Sequence, residues 1–74
     1  MKVVKATCGT EREVECEIVF DDNNYSILID NFLAFQKNQD IYGLGFYEEK
    51  ALENALKKVI NKEIVKQIKE QFHL

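Results

Sequence analysis

Residues 12–20 constrain the fold more than any other stretch of the chain. Val14, Cys16, Ile18 and Phe20 fall at one parity, and Glu13, Glu15 and Glu17 at the other. Side chains alternate across a strand, so this pattern builds a strand with one apolar and one charged face. Such a strand belongs in an antiparallel sheet that is covered on one side and wet on the other. A slip of one residue in its pairing would carry the glutamates into the core, which favours a register that keeps them outside.

Residues 2–8 supply a partner strand. A connection through Gly9-Thr10-Glu11 pairs Cys8 with Arg12, Ala6 with Val14, Val4 with Cys16 and Lys5 with Glu15. Gly9 is the residue there that best accepts a positive φ. In this register Cys8 lies about 13 Å along the strand from the position facing Cys16, beyond the ~7 Å reach of a disulfide. Two free structural thiols are expected. Asp21-Asp22-Asn23-Asn24 follows, a run of residue types that tolerate left-handed backbone and close tight turns. Pairing Phe20 with Tyr25 then sets Ile18 against Ile27 and Cys16 against Ile29, and brings Glu15 beside Asp30. The third strand runs from Tyr25 to about Asp30. Both hairpins select the same core face, and agreement between local signals supports the sheet.

Residues 31–47 hold five of the eight aromatic side chains. Phe32, Phe35 and Phe46 are expected in the core, with Tyr42 and Tyr47 nearer the surface. Residues 32–36 either prolong the third strand or form a fourth, and 37–40 make a polar turn. Gly43-Leu44-Gly45 leads into a helix beginning near Glu48, where Glu48 and Glu49 suit the positive end of the helix dipole. Ala51, Leu52, Ala55, Leu56, Val59 and Ile60 form one apolar stripe, continued by Ile64, Val65, Ile68 and Phe72. One helix follows both stripes only if the stripe drifts by about 40° every four residues. Otherwise Asn61 caps a second helix. The expected fold is therefore α+β: a three- to four-stranded antiparallel meander with one or two C-terminal helices on its apolar face, spanning residues 1–74 as one small domain.

Composition narrows the function. With 74 residues the core is thin, and a multi-layer enzyme fold is excluded. Residues 1–40 carry eight acidic side chains against four basic ones, and residues 41–74 five against six. That imbalance makes direct nucleic-acid binding an unfavourable reading, since such affinity rests on cations meeting phosphates. No apolar run approaches the ~20 residues of a membrane span. Residues 1–7 lack the ~7–15-residue apolar core of a secretory leader, so the expected location is cytoplasmic, with no membrane partner.

The acidic ladder stands out among candidate sites. Glu11, Glu13, Glu15 and Glu17 recur at strict i+2 spacing, with Asp21 and Asp22 beyond. On one strand face they stand about 6–7 Å apart, close to the phosphate spacing of a nucleic-acid strand. The plainer reading is a solvated face kept charged against aggregation. Four glutamates in one strand are more than that requires, because glutamate is disfavoured there. A lone strand lacks the convergent oxygens of a calcium site, and no metal is expected. Lys58, Lys62, Lys66 and Lys69 align if the helix is continuous, but Glu63 and Glu70 interleave them. Gly43-Leu44-Gly45 lacks the lysine and third glycine of a phosphate loop. His73, the one histidine, sits near the chain end, and a buried Cys16 is inert. No catalytic residue and no cofactor are expected.

The sequence thus points to a non-enzymatic protein-binding module, a small acidic inhibitor or adaptor. Glu13, Glu15, Glu17, Asp21 and Asp22, with Tyr42 and Tyr47, are the candidate contacts for a partner protein with a basic surface. In size, acidity and expected architecture the chain is similar to some phage-encoded inhibitors of host defence nucleases, anti-CRISPR proteins among them. That likeness implies an inhibitory role but carries no residues over. The alternatives are a nucleic-acid-associated regulatory module using the C-terminal lysines, or a self-associating structural protein whose amphipathic tail 61–74 forms a homodimer.

Overall fold

The computed structural model describes residues 1–9, 11–39 and 44–74. These residues form strands β1 (Lys2–Gly9), β2 (Glu13–Asp21), β3 (Asn24–Ile29) and β4 (Phe32–Gln36), then helices α1 (Phe46–Leu56) and α2 (Lys62–Phe72). The strands pair in chain order as one antiparallel sheet, and the helices pack on one side of it. This is the α+β meander expected, with residues 32–36 forming a separate fourth strand.

The β2–β3 hairpin follows the expected register residue for residue, with Phe20 on Tyr25, Ile18 on Ile27 and Cys16 on Ile29. Asp22 takes a φ of 51° in the connection. The β1–β2 register is two residues away from expectation. Cys8 pairs with Val14, Ala6 with Cys16, Val4 with Ile18 and Lys5 with Glu17. The faces are unchanged, since parity permits shifts of two. Gly9 ends β1 opposite Glu13, and its φ is not positive. The shift frees Arg12 from the ladder. Its guanidinium instead donates to Asp30 at 2.6 Å and lies 3.8 Å from Glu48, tying the β1–β2 turn to the β3–β4 turn and to α1.

The third strand ends one residue early. Asp30 and Asn31 have φ of 50° and 68° and form the two-residue link between Ile29 and Phe32. Positive φ at both positions is the pattern of the hairpin turns whose twist matches that of the strands. A register irregularity between Ile27 and Leu28 places Leu33 opposite Leu28 and Phe35 opposite Ile27.

The helix breaks. After Leu56 the bonds tighten, with Lys58 N–H donating to the Ala55 carbonyl and Val59 N–H to that of Leu56. Asn61 then caps α2, its side-chain oxygen accepting from the N–H groups of Glu63 and Ile64 at 3.0 and 3.2 Å. The break resolves the drift between the two apolar stripes. It also leaves Ile60 87% exposed, outside the core where continuous helical spacing would place it. Lys58 likewise leaves the lysine row, and only Lys62, Lys66 and Lys69 share α2.

The core joins Val14, Cys16, Ile18, Phe20, Tyr25, Ile27 and Phe35 of the sheet to Ala51, Leu52, Ala55, Leu56, Ile64 and Ile68 of the helices. Phe72 meets Phe35 edge-on, ring centres 5.5 Å apart, and so seats α2 against β4. Of the three phenylalanines expected inside, only Phe35 is buried; Phe32 is 78% and Phe46 64% exposed. Each sits at the first residue of its element. Strands β1 and β4 are the sheet edges. Alternate residues of an edge strand turn their carbonyls away from the sheet. On β1, Asn54 of α1 donates to the Thr7 carbonyl at 3.1 Å, and Lys58 to the Lys5 carbonyl at 3.2 Å.

Candidate protein-binding face

The side of the sheet opposite the helices has no layer over it among the described residues. Strand alternation brings Lys5 and Thr7 of β1, Glu13, Glu15, Glu17 and Asp21 of β2, and Ser26 and Leu28 of β3 to this side. Glu13 and Asp21 are exposed; Glu15 and Glu17 are half-buried by neighbours on the flanking strands. Asp22 lies in the adjoining turn and is exposed. Tyr47 lies on α1, half-buried against the core and away from this face. Tyr42 lies outside the described residues.

The ladder is partly compensated. Lys5 sits 3.5 Å from Glu17 across the strand pair. Among the described residues Glu13 and Glu15 have no ion pair of that kind, and they stand toward the β1–β2 turn, where the paired part of β3 has already ended. Asp30 closes one end of it, accepting from the Arg12 guanidinium and, at 3.2 Å, from the Glu15 N–H. The Arg12 hydrogen bond first, and the Glu15 N–H second, hold the Asp30 carboxyl below the usual carboxylate range. Because the folded value lies below the unfolded value of ~3.9, the stabilisation is complete above that value and is lost as pH falls through the folded one. Asp30→Asn is therefore expected to lower the urea midpoint at neutral pH and to converge with the parent in acid. A gap that persisted undiminished at about pH 2 would contradict this coupling.

The face also carries apolar side chains that the glutamate pattern hides. Val3 faces Val19 directly, and Leu28 faces Leu33. Val3 is 48% and Leu33 56% exposed. The signal is present in the sequence: Val19 shares the parity of the glutamates, and Leu28 stands between two core isoleucines. The charge row draws attention away from both.

The remaining reactive groups are dispersed. Cys8 and Cys16 are free and buried. In the observed register they are diagonal neighbours, about 7–8 Å apart, so they approach more closely than expected yet stay outside disulfide range. Burial pushes the Cys16 thiol up to about 12, which keeps it protonated and unreactive. His73 ends α2 in left-handed conformation and is exposed. Among the described residues no group of three His, Cys, Asp or Glu side chains gathers as a metal site. No described helix is long and apolar enough to cross a membrane.

No protein-family model matches the chain, and neither a curated protein nor a solved structure is significantly similar to it.

Proposed function

We propose that the chain is a non-enzymatic protein-binding module that offers the open face of its sheet to a basic surface on a partner protein. The observation that carries this reading is the position of Glu13, Glu15 and Glu17, in line on an inner strand of an uncovered face. A field of one sign steers and selects oppositely charged partners. Proteins that bind nucleic acid own the matching surface, a groove of lysine and arginine shaped for phosphates. Occupying that groove would block it by competition, which is the action of a small inhibitor.

The test is capture of partners from a lysate of the source cell, with nuclease present, by the parent and by a Glu13→Lys, Glu15→Lys, Glu17→Lys variant. The parent is expected to retain a basic protein in a salt-sensitive manner, and the folded variant to lose it. Equal retention by both would sink the reading.

A further inference from the structure

We infer that the apolar band crossing this face seats an amphipathic helix of the partner, with lysine or arginine flanking its apolar stripe. The inference rests on the open face being a protein-binding surface, and it adds the shape of what binds there.

Val3 and Val19 form one cross-strand pair, and Leu28 and Leu33 another, displaced by one step along the strands. Together they make an oblique band over all four strands. Three inter-strand steps and one two-residue step give it a length of about 16 Å. Glu13, Glu15 and Glu17 lie on one side of the band and Asp21 on the other.

Backbone hydrogen bonding decides the form of the occupant. The band offers side-chain carbon and no backbone groups, so an extended segment laid on it would bury its own N–H and C=O groups unpaired. A helix satisfies those groups internally. At 1.5 Å per residue, ~16 Å is about three helical turns, and a stripe at i, i+4, i+7 and i+11 spans it. Lysine and arginine beside such a stripe lay their carbon stems on the valines and leucines while their charged ends reach the carboxylates.

A second copy of this chain fits poorly. Two open faces brought together set one glutamate row against the other, and like charges across an interface are costly. The α2 helix has no free stripe to lend, since Ile64 and Ile68 are fully buried in their own core.

The probe is an amidated peptide of about 14 residues, made of leucine and lysine with the leucines at helical spacing. Its control is a scrambled peptide of the same composition. Binding of each to the full chain is followed by calorimetry. The striped peptide is expected to bind about tenfold tighter or more. That preference should vanish in Leu28→Thr/Leu33→Thr and in Val3→Thr/Leu33→Thr, both checked for an unchanged thermal melt. Using two variants covers the case in which half-buried Leu28 proves necessary for folding. Equal affinity for both peptides, lost in the Glu13, Glu15 and Glu17 lysine variant, would overturn the helix seat while leaving the basic-partner reading intact. Binding of neither peptide would overturn the seat and count against the charged face as well. Self-association through the band, seen as a dimer mass that the Leu33 variants abolish, would also overturn it.

Discussion

Ile18→Ala is expected to cost about 3 kcal/mol and to bring unfolding on at markedly lower urea. Ile18 is fully buried on β2, with Val4 and Ile27 directly opposite on the two neighbouring strands. Truncation there loses the transfer free energy of the removed carbons and opens a cavity that the strands on either side prevent from closing. The total stability of a chain this size is only about 4–11 kcal/mol, so one such change removes a major fraction of it. In a urea titration the midpoint should fall with the slope unchanged. Ile18→Val, by comparison, should lose only about 1 kcal/mol. Equal midpoints for the parent and the Ile18→Ala variant would mean that the core is not organised around β2.

Phe35→Ala is expected to lose about 3–5 kcal/mol, and the loss should be uneven across the molecule. Phe35 lies between Tyr25, 5.4 Å away by ring centres, and Phe72 on α2. Helix α1 rests mainly on β1 and β2. Removing the ring therefore undocks α2 before it disturbs the other layer contacts. Amide hydrogen exchange checks this: protection in α2 should fall further than protection in α1, as in a sub-global opening. A uniform fall across both helices would show that the two halves of the helical layer unfold as one unit.

The parts of the fold that sequence makes legible are those governed by parity and turn chemistry. The β2–β3 hairpin is readable in full because Asp22-Asn23 supplies its turn and the alternation sets its face. The β1–β2 pairing is readable only to within two residues. Parity cannot separate two registers that share a face, and what distinguishes the observed one is distant: Arg12 reaching Asp30 and Glu48. The β3–β4 turn escapes notice although Asp30-Asn31 repeats the chemistry of the previous turn, because the alternation of β3 runs on through Asp30 and carries the strand one residue too far. The helix break stays open between two readings in the sequence, and the cap at Asn61 decides it. At the candidate site the glutamates are visible from spacing alone. Parity alone shows the face of Val19 and Leu28, but the band they make with Val3 and Leu33 exists only once four strands are placed side by side.

The bonds from Asn54 and Lys58 to the carbonyls of β1 bear on what that open edge can pair with. An open strand edge is an indiscriminate binder: it reads main chain, which every polypeptide possesses, and ignores side chains. On β1 two of the acceptors that such promiscuity needs are already engaged from within the molecule. A strand approaching β1 meets those two carbonyls already occupied, so main-chain pairing along this edge is interrupted. Asn54 of α1 and Lys58 in the turn that follows it thereby guard this edge against indiscriminate strand addition.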